Sequence, residues 1–304
     1  MSLRPSARKT VTALAVTAAL ALSGCSGESP SRAERKTNFI DRAPVATEAQ
    51  INSSPTAAAI QARGQMLIGS DKNLPLVSQQ NPTTGQTEGF DATLSRMLAK
   101  YITGQSTPRI VSVTPENREQ LLQAGTVDAV IRIYSITEKR ARQVTFAGPY
   151  FDSGQTIATL RTDHAIQTAD DLRGRKVCVV KDTTSEKAVT QKEPEAAVTP
   201  VADSSQCVSA LEQGKAEAYV HDLTVVAGAA QLNNKIKIVG NPFTSEPYGI
   251  GIRHGDDSFK NFIDDWLRNI ERSGLWRQAW QQSLGTVVPG GPPSPPNIGG
   301  APGT

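Results

Sequence analysis

Three cysteines, three histidines and scattered arginines, acids and hydroxyls are the residues of this chain whose types could do chemistry. The thiols stand at 25, 178 and 207 and the histidines at 164, 221 and 254. No thiol lies in a C-x-x-C pattern and the histidines do not cluster, so neither a zinc site nor any cofactor is expected. No nucleophile–base arrangement or spare catalytic pair emerges either. Such an inventory suits binding more than bond breaking. The first thiol has a special setting. Arg4, Arg8 and Lys9 precede an apolar run from Val11 to Leu22, and a small-residue stretch, Leu22-Ser23-Gly24, ends on Cys25. The run is too short to span a bilayer, and its flanks read as an export signal. A buried N-terminal helix is the plainer alternative.

The segment Leu22-Ser23-Gly24-Cys25 resembles the lipobox of bacterial lipoproteins. That resemblance implies a signal peptide over residues 1–24, diacylation of Cys25, and a protein held on the outer face of a membrane through its lipid. Thiols can oxidise in that compartment. With Cys25 committed to lipid, Cys178 and Cys207 form an even pair, so a disulfide is expected, against two unrelated buried thiols. The formal charge of +3 resides in Arg4, Arg8 and Lys9, so the mature chain is neutral. No basic stripe remains for nucleic acid.

The elements that would position functional side chains lie between two irregular ends. Residues 25–58 are rich in Ser, Ala, Glu, Arg, Pro and Thr and read as a flexible lipid-anchored tether. Residues 285–304, with Val288-Pro289-Gly290-Gly291-Pro292-Pro293, read as a disordered tail. Between them, strand-like runs alternate with helical patterns. Met66-Leu67-Ile68 is strand-like, and Phe90, Leu94, Met97, Leu98 and Tyr101 share one helical face. Ile110 to Val113 and Val127 to Ile133 are expected strands. They flank a helix starting at Thr114-Pro115 and ending at Gly125. Thr137 caps a helix opening Glu138-Lys139-Arg140, and Thr168 to Asp171 has the spacing of a capping box. Lys176 to Val180, Ala218 to Val220, Lys235 to Val239 and Tyr248 to Ile252 complete the strands; Phe259, Phe262, Ile263, Trp266, Leu267 and Ile270 make an amphipathic helix. Alternation of this kind argues for an α/β fold with parallel-rich sheets and a ligand beyond the strand C-termini.

The order Gly89-Phe90-Asp91, Asn117-Arg118, Gly125-x-Val127-Asp128, Ile136-Thr137-Glu138-Lys139-Arg140, Pro149-Tyr150 and His221-Asp222 resembles family 3 extracellular solute-binding proteins, the polar-amino-acid receptors of ABC importers. Thr183-Thr184-Ser185-Glu186 and Glu246-x-Tyr248-Gly249 look most like its glutamine/glutamate/aspartate-binding lipoproteins of high-GC Gram-positive bacteria. The resemblance covers about residues 60–284. It implies a periplasmic-binding-protein-like type II fold: two α/β lobes joined by two hinge strands with the ligand cleft between. Lobe 1 would be residues 59–153 plus 247–284 and lobe 2 residues 154–246, which puts both Cys178 and Cys207 in lobe 2.

The resemblance also implies roles. Arg140 would clamp the ligand α-carboxylate, a group that a guanidinium fork fits bidentately. Thr183 and Thr184 would add donors from the opposite lobe, and Asp222 would receive the ammonium. Arg118 would reach the distal group of the side chain, Ser135 would offer its hydroxyl, and Lys72 would add a second positive group. Leu74, Ile133 and Tyr134 depart from the usual aromatic, small and slimmer residues. The expected function is a non-enzymatic, monomeric receptor for free Glu, Asp, Asn or Gln, delivering it to an ABC transporter permease. A transmembrane sensor protein as partner is the alternative; a dehydratase-like enzyme lacks a spare acid or base.

Overall fold

Two five-stranded sheets organise the chain, and it passes between them twice. The computed structural model describes residues 39–288 and 290–304; the expected signal peptide and Cys25 lie outside these. A 3-10 turn at Phe39–Arg42 comes first, then helices α1 (Glu48–Asn52) and α2 (Pro55–Arg63). Strand β1 (Leu67–Ser70) leads to a small meander, β2 (Asn73–Leu74), β3 (Ser78–Gln80) and β4 (Thr87–Glu88). Next come α3 (Phe90–Thr103), β5 (Arg109–Ser112), α4 (Arg118–Gln123), β6 (Ala129–Val130), α5 (Glu138–Ala141) and β7 (Thr145–Ser153). The chain then crosses into the second sheet with β8 (Gln155–Leu160), β9 (Lys176–Val180), α6 (Ser185–Lys192), β10 (Ala197–Val201), α7 (Ser204–Glu212), β11 (Ala218–Asp222), α8 (Leu223–Leu232) and β12 (Ile236–Val239). It returns through β13 (Glu246–Ile252) and ends with α9 (Asp257–Arg272) and α10 (Leu275–Gln281).

The sheet orders are β5-β1-β6-β13-β7 in lobe 1 and β10-β9-β11-β8-β12 in lobe 2. Each sheet has a parallel core, β5-β1-β6 or β10-β9-β11, with antiparallel strands beside it. The two crossings run side by side, because Glu246 pairs with Ser153 where β13 meets β7. Gly154 is required there. A Cβ on it would fall 2.2 Å from the Thr244 carbonyl oxygen of the other crossing. The same logic applies at Gly89 (φ +121), whose Cβ would lie 2.5 Å from the Val77 backbone as α3 begins.

Helical faces follow the apolar periodicity. Phe90, Leu94, Met97, Leu98 and Tyr101 of α3 are all buried, as are the six apolar residues from Phe259 to Ile270 on α9. Each such side chain contributes about 1.5–3 kcal/mol by leaving water. Cys178 of β9 and Cys207 of α7 form a disulfide with Cα atoms 5.5 Å apart, wholly within lobe 2.

Four expectations need correction. Residues 39–58 are not a tether: α1 and α2 are capped by Thr47 and Ser54, and Phe39, Ile40, Ile51, Ala57 and Ile60 are buried in the main core. The 285–304 tail is not free either. Gly299 N–H donates to the Gly148 carbonyl at 2.8 Å, and Val288, Ile298 and Ala301 pack on the core. Helix α4 starts at Arg118 rather than after Thr114, because the Asn117 side chain accepts from the Thr114 N–H (2.9 Å) and closes a preceding turn. Strand β6 has only two residues, since Ile133 (φ +36) turns the chain away from the sheet while its N–H donates to buried Asp91 at 2.7 Å.

Candidate functional site

The strand ends of both sheets face one cleft, as the parallel cores dictate. Its inner, nearly closed part is lined by Pro115, Arg118, Arg132, Ile133, Ser135 and Arg140 from lobe 1 and by Thr183, Thr184, His221 and Asp222 from lobe 2. It opens into a wider groove that runs past Glu116, Gln123, Arg142 and Lys187 and shares Arg140, Thr183 and Thr184 with it.

Arg140 is placed by α5, where the Thr137 hydroxyl accepts from its N–H at 3.2 Å. Its guanidinium donates to the Ser135 carbonyl (2.8 Å) and, across the cleft, to the Asp182 carbonyl (3.2 Å). Arg118 sits at the first turn of α4 and is buried. Its guanidinium carbon stacks 3.7 Å from the centre of the Tyr134 ring, a cation–π contact. Its Nε has no hydrogen-bond partner among the described residues, and the nearest carboxylate, Glu119, is 3.6 Å away. Burial, then the positive charge of Arg140, pulls the Arg118 pKa down to about 9. Tyr134 is thus a platform: its hydroxyl donates to Glu119 at 2.7 Å, and its ring is edge-on to Phe146.

Lobe 2 and the crossings present acids. Asp222, at the end of β11, accepts from Tyr248 Oη (2.7 Å) and from Gln155 Nε2, and its side chain makes no cap bond to α8. Burial, then the charge of Glu246, raises its pKa to about 7. Gln155 Nε2 also lies 3.3 Å from Glu246 Oε1 and 3.1 Å from Thr184 Oγ1. Turning this amide over would aim its oxygen at two carboxylates. Thr184 donates to Glu246 Oε2 at 2.9 Å, and Thr183 donates to the Val180 carbonyl at 2.7 Å. His221 Nδ1 accepts from the Asp222 N–H at 2.7 Å. Burial, then the charges of Arg132 and Arg118, pushes its pKa down to about 3, so it is neutral.

Six of the seven expected ligand residues therefore meet: Arg118, Ser135, Arg140, Thr183, Thr184 and Asp222 line the inner cavity. Lys72 does not. It lines a separate shallow pocket with Gln80, Gln86 and Arg96, because Asp71 Oδ1 captures its N–H and starts the meander. Arg132, Gln155, Glu246 and Tyr248 were missed. All four sit in or beside apolar strand runs, and a polar residue interrupting such a run was the available signal. Among the described residues no His/Cys/Asp/Glu group could hold a metal ion, and no helix is long and apolar enough to cross a membrane.

Two α/β lobes with paired crossings and a charged cavity between them define a hinged solute-binding protein. The chain belongs to the bacterial extracellular solute-binding proteins, family 3, which it matches over residues 66–286. It is 31% identical over 229 residues to the ABC transporter glutamine-binding protein GlnH of Bacillus subtilis (strain 168), covering 75% of this chain and 84% of that one. It is 32% identical over 240 residues to the glutamate-binding protein GluB of Corynebacterium efficiens, covering 75% and 81%. Among solved structures it resembles the ancestral amino acid-binding protein AncCDT-1, a precursor of cyclohexadienyl dehydratase: TM-score 0.68, 30% identity, 75% of this chain and 99% of that one.

Proposed function

We infer that this protein is a receptor for acidic and amidic amino acids, Glu, Asp, Asn or Gln, and hands them to an ABC importer. One observation carries the reading: Arg118 and Arg140 of one lobe line the same cavity as Asp222 of the other. Arg140, with Thr183 and Thr184, takes the α-carboxylate; Asp222 takes the ammonium; Arg118 takes the distal oxygen of the side chain. Closing the lobes brings these groups together, so ligand favours the closed form by the contacts that only that form makes. Micromolar affinity needs about −8 kcal/mol, which a few charge-assisted hydrogen bonds at roughly 1.5–3 kcal/mol each, plus cleft burial, supply. The names of GlnH and GluB support the ligand class and the ABC partner. Cys25 carries the lipid that keeps the receptor at the outer face of the membrane.

Calorimetry against the twenty amino acids tests this. Glu and Asp bind above Gln, while Lys and Leu are inert. Arg118→Ala weakens the acids more than the amides; equal losses would remove Arg118 as the side-chain reader. For the anchor, Cys25→Ala releases the protein into the medium.

A further inference from the structure

Arg132 interrupts the apolar run Ile131-Arg132-Ile133 where the chain leaves β6, and it lines the same cavity as Arg118. The two guanidinium groups are held differently. Arg132 Nε (3.1 Å) and Nη2 (2.6 Å) both donate to Asp71 Oδ2. Asp71 Oδ1 is itself fixed by the N–H groups of Lys72 (2.7 Å) and Asn73 (2.8 Å). Arg132 Nη1 makes no hydrogen bond among the described residues, and the facing His221 is neutral. Arg118 has no carboxylate hydrogen-bonded to it: its buried Nε lacks a hydrogen bond among the described residues, and Glu119 stands 3.6 Å away as a looser ion pair.

The reading of the cavity as an amino-acid site, on which this inference rests, assigns Arg140 to the α-carboxylate and Asp222 to the ammonium. Arg118 and Arg132 then remain for the distal end of the ligand. A guanidinium whose nearest carboxylate is not hydrogen-bonded to it keeps more of its charge for the ligand and favours a carboxylate over a carboxamide. A guanidinium with its countercharge bonded to it has part of its field offset and selects less by charge, but it is still a hydrogen-bond donor. It serves a carboxylate oxygen and a carboxamide oxygen alike. We propose that the Asp71–Arg132 pair sets the acid-to-amide ratio of this receptor: Arg132 donates to the distal oxygen of either ligand type, and Asp71 keeps that donor from selecting acids alone.

Dissociation constants for Glu, Gln, Asp and Asn, measured by calorimetry on the wild type, Asp71→Asn, Arg132→Met and Arg132→Lys, test the pair. Asn at 71 retains an oxygen for the Lys72 and Asn73 amides, and circular dichroism checks that each variant is folded. Asp71→Asn exposes the Arg132 charge and raises the Glu-to-Gln affinity ratio by about tenfold. Arg132→Met weakens acids and amides together, by about tenfold or more, and Arg132→Lys recovers part of that loss for both. A ratio that stays put or moves toward Gln in Asp71→Asn overturns the proposal, as does a loss in Arg132→Met confined to the acids. A wild type that binds none of the four overturns the amino-acid reading itself. Wild-type binding with an unmoved ratio defeats only the role of the pair.

Discussion

The two walls of the cleft carry opposite chemistry. Lobe 1 contributes Arg118, Arg132 and Arg140; lobe 2 and the crossings contribute Asp222, Glu246, Gln155 and a neutral His221. The walls are also supported differently. Lobe 1 is enclosed by both ends of the described chain, α1 and α2 on one side and the residues after α10 on the other. Lobe 2 is stapled by Cys178–Cys207. A zwitterion with an acidic tail presents two negative groups and one positive, so this division of charge would suit the ligand class proposed above. Short links cross the cleft at its rims, Arg140 to the Asp182 carbonyl and Lys181 to Glu116 (2.7 Å).

That contrast can be broken most directly at Arg140. Arg140→Ala removes two or more charge-assisted hydrogen bonds from the cationic wall, and calorimetry is expected to show at least about a hundredfold loss for every amino acid, ~3 kcal/mol. Unchanged affinity would refute the clamp. The separate support of lobe 2 is tested by the Cys178→Ser/Cys207→Ser double variant, which loses about 2–4 kcal/mol in denaturant unfolding. Its ligand affinity is expected within about twofold of wild type, because the bridge lies in one lobe and leaves the crossings alone. The acidic wall is tested by pH. The ammonium needs ionised Asp222, whose pKa in the free protein is about 7. Affinity is therefore flat above pH 7 and falls by up to about tenfold per unit as pH drops through it. The free protein responds in the opposite sense, since a raised carboxyl pKa favours the native state at low pH, and that contribution declines as pH rises from 3.8 toward 7. Asp222→Asn flattens the binding profile and lowers affinity at pH 8 by about tenfold. Smallest is Tyr134→Phe. Releasing Glu119 to approach Arg118 more closely costs a few-fold in Glu affinity, about 1 kcal/mol, with less change for Gln.

The faces of α3 and α9 were legible because their buried residues repeat at 3.6-residue spacing over three or more turns. Helices α1 and α2 carry no such signal. They bury only Ile51, Ala57 and Ile60 among Ser, Thr and Ala, so their order comes from the surface that lobe 1 offers them. The ends of α4 and β6 depend on side-chain bonds, Asn117 to its own turn and Asp91 to Ile133, which periodicity does not encode. In the site, Arg140 and Asp222 came from family resemblance. Arg132, Gln155 and Glu246 did not, because their roles arise from partners 61 to 91 residues away in the chain.

The course of the last residues matters to anyone handling the protein. Gly303 lies so close to α5 that a Cβ on it would meet the Ala141 methyl at 2.8 Å, next door in sequence to Arg140. A bulky label attached at Gly303 would therefore sit beside Arg140, the residue proposed to hold the ligand carboxylate, and titrations on such a labelled protein would report on the label as well as on the receptor.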